Sequence, residues 1–264
     1  MAKKQRGVCR LCGNECELSF EHIPPKAAFN KTPAKAIVGL ENMIGGDRHP
    51  WETEGLRYQN LQQGVGLYSL CEKCNSFTGS AYGEDYKEFA ERALTVVSSD
   101  VDPAIHYVVF KAVHPLRVFK QIISMFCSTT PDARLEELKS FVLNKNKKGI
   151  DTKKFGVRMY FTRNNVIKWT GFNILGKMDE PNIITVSEIT AFPLGFLLYL
   201  NPEEVAHPEG IDITCFSEYE YDDLCDISLP ILIYEVNSAL PTDFRSKEEI
   251  CKIIEQNRVG QNAE

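Results

Sequence analysis

LCEKCNSFTGSAYGEDYKEFAERALTVV, Leu70 to Val97, opens on a CxxC pair and runs directly into a helical pattern. Tyr82, Tyr86, Phe89, Ala90, Ala93, Leu94 and Val97 recur at the spacing of one helix face. The spacing predicts a helix from about Asn75 or Tyr82 to Val97, with Tyr82, Tyr86 and Phe89 as core rather than base-stacking residues. A second CxxC pair, Cys9/Cys12 in CRLCG, stands near the start of the chain. Tetrahedral zinc takes four soft ligands, and two CxxC turns supply them as two close pairs. Cys9, Cys12, Cys71 and Cys74 are therefore expected to hold structural Zn²⁺, with Cys16 as the alternative to one of the four.

Composition supports metal over disulfides. The leading MAKKQRGVCR lacks the apolar centre of an export signal, and no apolar run is long enough to span a membrane. A cytoplasmic protein with no membrane partner is expected; a homo-oligomer stays open. In a reducing compartment the nine cysteines read as metal ligands and buried thiols. The net charge of −6 does not advertise a nucleic-acid binder, but its distribution is uneven. Residues 1 to 95 hold 12 Lys plus Arg and 12 Asp plus Glu, so the remainder carries 18 against 24. Any contact with phosphates must come from locally clustered Lys and Arg in the first third.

Past SSDVDPA, which marks a boundary near residues 98 to 104, the pattern changes. PLRVFKQIISMFCS (115 to 128), with proline in its first turn, reads as a helix, and PDARLEELKSFVLN (131 to 144) as a second. KNKK, Lys145 to Lys148, is a solvated loop. Six runs then read as strands: GVRMYFTR, VIKWTGFNIL, NIITVSEITAF, GFLLYL, GIDITCFSEY and LPILIYEV. SKEEICKIIEQ closes the chain as a helix. The fold class is α+β: a zinc-stabilised, treble-clef-like module over 1–98, followed over 99–264 by an α+β domain with an antiparallel sheet. The second domain carries no chemical motif, and its role in recognising substrate, partner or trigger is undefined. His106, His114 and His207 have no assignable partners.

Between the CxxC pairs lies FEHIPPKAAF, Phe20 to Phe29, and before the second pair NLQQGVGLYS. The series CRLCG, FEHIPP, NLQQGVGLYSLCEKCN resembles the zinc-bearing branch of the HNH (ββα-metal) endonucleases, over about residues 7 to 92. The resemblance implies a phosphodiester hydrolase acting on nucleic acid, DNA first, with Mg²⁺ or another divalent ion beside the structural zinc. It maps the family's acidic-His pair onto Glu21 and His22, its central asparagine onto Asn60 and its terminal His/Asn position onto Asn75. His22 is then the general base, and Glu21 and Asn75 hold the catalytic ion. Residues 30 to 60 form an elaborated loop shaping the substrate groove, with Arg48, His49 and Arg57 as phosphate contacts.

These residue types suit that chemistry. A neutral imidazole can take a proton from water near pH 7, and a hard divalent ion on oxygen ligands can stabilise a departing 3′ oxygen. Pro24 and Pro25 end strand pairing immediately after His22 and stiffen the turn. The residues also admit plainer roles: Asn75 as a helix cap, Glu21 as a surface charge, His22 as a structural histidine and His49 as a loop residue. A zinc-dependent nucleic-acid-binding or protein-interaction module without catalysis is the alternative function.

Overall fold

The computed structural model describes residues 5–36, 49, 51–52, 58–62, 64–99, 106–176 and 183–261. It is mixed helix and sheet, with every sheet antiparallel. The first third builds a three-stranded sheet from β1 (Gln5–Val8), β2 (Glu15–His22) and β5 (Gly66–Cys71), in the order β1-β2-β5. A separate two-stranded ribbon pairs β3 (Ala34–Ala36) with β4 (Gln59–Leu61).

Strand β5 passes without a loop into α1 (Glu72–Thr78). One wide turn of helix, Gly79–Gly83, joins α1 to α2 (Glu84–Ser98). The helical run therefore begins at Glu72, earlier than the apolar spacing alone indicates, because Cys71 caps it: its side chain accepts from Cys74 N–H. Tyr82, Tyr86 and Phe89 are buried, as expected, and the Tyr82 hydroxyl donates to Val142 O at 2.7 Å.

Helix α3 (Pro115–Thr129) is the centre of the molecule. Every residue but Arg117 is buried, so this helix is covered on all sides. It touches β5, the Gly79–Gly83 turn, α2, α4 (Glu136–Leu143) and the large sheet. That sheet runs β11 (Ile211–Asp212), β7 (Phe155–Phe161), β10 (Leu194–Leu200), β9 (Ile183–Ala191), β8 (Ile167–Gly176). One continuous apolar cluster reaches from Cys9 and Leu11 through Phe89 and Phe126 to Leu229. Among the described residues no helix is long and apolar enough to cross a membrane.

Two expected strands and one unexpected strand need a physical account. GIDITCFSEY is a strand only over Ile211–Asp212, then a tight helical turn, Thr214–Glu218. Asp212 Oδ1 accepts from Thr214 N–H, and Thr214 Oγ1 accepts from Val157 N–H, so local side chains replace the ladder. LPILIYEV is not a strand over its length. Pro230 ends β12 (Cys225–Pro230), and beyond it the backbone of Leu232 and Tyr234 bonds Phe161 from outside the sheet. Strand β6 (Tyr107–Val113), which the sequence reading passed over, pairs with β12. The closing helix α5 spans Lys247–Gln261.

The large sheet carries a buried polar knot. Glu188, wholly buried on β9, accepts from Tyr160 OH at 2.7 Å, Thr190 Oγ1 at 2.8 Å and Thr242 N–H at 2.9 Å. Lys168 Nζ lies 2.9 Å from the same carboxylate and donates onward to Leu240 O. The knot thereby fastens residues 238–242 across the sheet. Removing one partner of a buried pair strands the other charge, which costs roughly 3–5 kcal/mol. Lys168→Ala should lower the free energy of urea unfolding by about that amount. A loss no larger than that from alanine at an exposed lysine such as Lys153 would refute the clasp.

Candidate metal centre and adjoining histidine

Two backbone devices bring four thiols together. Between β1 and β2 the chain turns at Cys9–Gly13, with Gly13 N–H donating to Cys9 O and Gly13 at φ +73°. Glycine takes that left-handed conformation without strain. The other pair straddles the end of β5 and the first turn of α1. The Sγ atoms of Cys9, Cys12, Cys71 and Cys74 all lie within 4.8 Å of one another. Cys12 and Cys71 Sγ are 4.0 Å apart, close to the ~3.8 Å edge of a tetrahedron of sulfurs around zinc. Cys71 N–H points at Cys9 Sγ (3.3 Å) and Cys74 N–H at Cys71 Sγ (3.4 Å), donors that favour thiolates.

The electrostatics ask for a cation. Burial pushes the Cys9 thiol up, but backbone N–H groups around it outweigh that and bring it down to about 7. Burial and the neighbouring thiols push Cys74 strongly upward. Four such groups cannot all ionise against one another unless a metal neutralises them, so the cluster can hold an ion such as zinc. Cys16 lies beside the cluster, its Sγ 3.4 Å from Asn14 O, and is not among the four.

Next to this centre, β2 presents Glu21 and His22 to opposite faces, since both lie in regular pairing with Leu67 and Gly66 of β5. Glu21 goes inward and is 4% exposed. Its Oε2 accepts from Ser69 Oγ at 3.1 Å and from Ser128 Oγ of α3 at 2.5 Å. Arg10, from the Cys9–Cys12 turn, donates to Ser128 O at the same spot. Burial pushes the Glu21 carboxyl up to about 7 against the pull of these hydroxyls. The reading of Glu21 as a surface charge is thus corrected: its carboxylate is an interior acceptor that ties β2 to α3.

His22 faces the other way, half-buried, its ring edge-on to Phe20 at 5.0 Å. Phe20 in turn meets Tyr68 at 5.4 Å. Three neighbours fix this end of β2. Gly66 lies so close that a Cβ there would come within 2.0 Å of Glu21 O. Asn30, buried, donates to Pro24 O and Val65 O and accepts from Val65 N–H, all within 2.8 Å. Asn75 Nδ2 donates to Ser19 Oγ at 3.1 Å and Phe20 O at 3.2 Å. Asn75 is therefore not the helix cap, which is Cys71; it belongs to the first turn of α1 and binds it to β2.

The remaining expected residues lie elsewhere or outside the described residues. Asn60 is exposed on the β3–β4 ribbon opposite Lys35, not on the sheet that carries His22. His49 stacks on Trp51 at 4.8 Å, and Arg245 covers the Trp51 ring at 5.0 Å. Arg48 and Arg57 lie outside the described residues. Sequence reasoning missed Asn30, Ser128 and Arg10. Only Asn30 left a local trace, as a polar residue ending an otherwise apolar turn. Scans against family models, curated proteins and solved structures found no match.

Two outcomes follow. Purified chain should contain one zinc, and Cys74→Ser should lose it and melt several degrees lower; a metal-free wild type with an unchanged melting temperature on chelation would refute the centre. The unfolded Glu21 carboxyl ionises near 4.5 and the folded one near 7. Between those values the folded state binds more protons, so Glu21 lowers stability as pH rises through this window, by up to about 3 kcal/mol. Glu21→Gln keeps an acceptor for both serines. Its stability relative to wild type, from urea titrations in zinc-replete buffer, should therefore improve steadily from pH 4.5 to 7, whereas a flat difference argues against the buried acid.

Proposed function

We propose that the chain is a zinc-stabilised, HNH-like endonuclease in which His22 is the general base. The observation that carries this reading is the placement of His22. It stands half-exposed at the end of β2, in a hairpin closed by one CxxC turn and followed by a helix that starts on the other. Cysteine turn, hairpin and helix in that order are what a ββα-metal module requires. Asn30, Gly66 and Asn75 hold the backbone around His22, which is the preorganisation a proton-transfer group needs.

In this reading the His22 imidazole takes the proton from a water as its oxygen attacks the phosphodiester. Glu21 Oε1 and Asn75 Oδ1 take part in no hydrogen bond among the described residues and are hard oxygen donors suited to a divalent ion such as Mg²⁺. Phe20 packs edge-on to the His22 ring and limits its rotation.

A second reading has its own support. Glu21 is 4% exposed and already serves Ser69 and Ser128, the arrangement of a carboxylate kept for structure. On that reading the module binds zinc and a partner, without catalysis. Plasmid DNA and single-stranded RNA incubated with the chain in Mg²⁺ or Mn²⁺ separate the two. Cleavage that falls at least a hundredfold in His22→Ala, with zinc content and melting temperature retained, supports the enzyme. Failure to cleave either nucleic acid with any divalent ion leaves the binding module.

A further inference from the structure

The face of the sheet that carries His22 also carries a row of rings. His22, Phe20 and Tyr68 form an edge-to-face series at 5.0 and 5.4 Å, and Tyr68 is 37% exposed at its outer end. The chain that leaves His22 is locally basic. From Ile23 to Leu40 it contains Lys26, Lys31 and Lys35 and no acidic residue. All three lysines are exposed.

Aromatic rings are interleaved with these charges. Phe29, between Lys26 and Lys31, is exposed at φ +65°, a conformation strained for a bulky residue. The neighbours on either side, Ala28 and Asn30, are buried, and Asn30 makes three hydrogen bonds, so the turn holds Phe29 outward. Strain of this kind collects at ligand-contacting positions. Lys35 lies 4.5 Å over the ring of Tyr58, itself 53% exposed. Nothing in packing calls for Phe29, Tyr58 and Tyr68 to face water.

We infer that this strip is a binding surface for single-stranded nucleic acid, running from Tyr68 past His22 along residues 26 to 35. Exposed rings stack on the faces of unpaired bases, and a duplex offers no such faces except at its ends. Lysines alternating with those rings match the alternation of base and phosphate along one strand. The strip deepens the proposed nuclease reading, because it delivers an unpaired strand to the imidazole of His22. Its charge is local: the first 95 residues have no net charge, so the surface acts at short range rather than through a molecule-wide field.

Binding is measured without cleavage, using the full-length His22→Ala chain with no added Mg²⁺. Fluorescence anisotropy compares labelled oligo(dT) and oligo(U) of about 20 nucleotides with a duplex of the same length, from about 50 to 200 mM salt. At least one single strand should bind tenfold or more tighter than the duplex. Lys26→Gln/Lys31→Gln/Lys35→Gln should reduce the salt slope by about 2, at roughly 0.7 per phosphate contact, with melting temperature unchanged. Tyr68→Ala should weaken binding about tenfold and leave the slope alone. A duplex bound as tightly as the tighter of the two strands, or a slope unmoved by the three glutamines, overturns the inference. A chain that cleaves duplex DNA but fails here loses only this strip. One that binds single strands but never cleaves keeps the strip and loses the nuclease.

Discussion

Helix α3 is covered on all sides, and that constraint organises the rest of the molecule. A helix in such a position cannot leave polar groups to solvent, so each one must find a partner from another element. Lys120 is wholly buried, and its Nζ donates to Phe141 O at 2.5 Å and Asn144 O at 2.8 Å. It thereby satisfies carbonyls at the C-terminal end of α4 that no helical N–H can reach. At the other end of α3, Ser128 Oγ donates to Glu21 and Ser128 O accepts from Arg10. The sequence separation in both contacts exceeds a hundred residues, so the cysteine-bearing sheet and the later helices are joined by polar bonds as well as by the shared apolar cluster. An unsatisfied buried acceptor costs about 1–3 kcal/mol, comparable to a fully buried apolar side chain, and these bonds also fix register, which apolar contact does not.

That junction divides β2 into two faces with different duties. The inward face, through Glu21, serves cohesion with α3. The outward face carries Phe20 and the half-buried His22. Adjacent strand residues cannot share a face, so an acidic-His dipeptide in a regular strand separates its two functions by geometry alone. Its inward carboxylate has one oxygen engaged by two hydroxyls. The outward imidazole depends on none of those bonds for its exposure.

Much of this was legible in the sequence, and the remainder was hidden for identifiable reasons. The two CxxC pairs converge as their spacing implied, because a CxxC turn is a local device whose geometry needs no distant partner. Helix α3 and the burial of Tyr82, Tyr86 and Phe89 followed from periodicity. The segments around residues 211 and 231 read as strands because their side chains alternate. In three dimensions Asp212 and Thr214 bond the backbone themselves, and Pro230 removes a donor. Strand β6 was overlooked because its exposed side chains, Tyr107 and Val109, mask the alternation expected of a strand with one wet face. That Glu21 is an interior acceptor rather than a surface charge was hidden because its partner Ser128 is 107 residues away and has no motif of its own.

His22 is held in place largely by residues that do not ionise. Gly66 allows β5 to approach where any Cβ would strike Glu21 O. Asn30 supplies both donors and its acceptor to the loop after His22, doing with one side chain what a further strand pair would do. Asn75 ties the strand to the helix that begins on the metal centre, so the position of the imidazole is referred to the four cysteines through one amide. If the cluster holds an ion, its loss acts on His22 through α1 and Asn75 before it reaches the large sheet, whose own polar knot at Glu188 is independent of the cysteines. The cysteine cluster and the strand beside it thus form one mechanical unit, while the large sheet and its clasp form another, and α3 is the element packed against both.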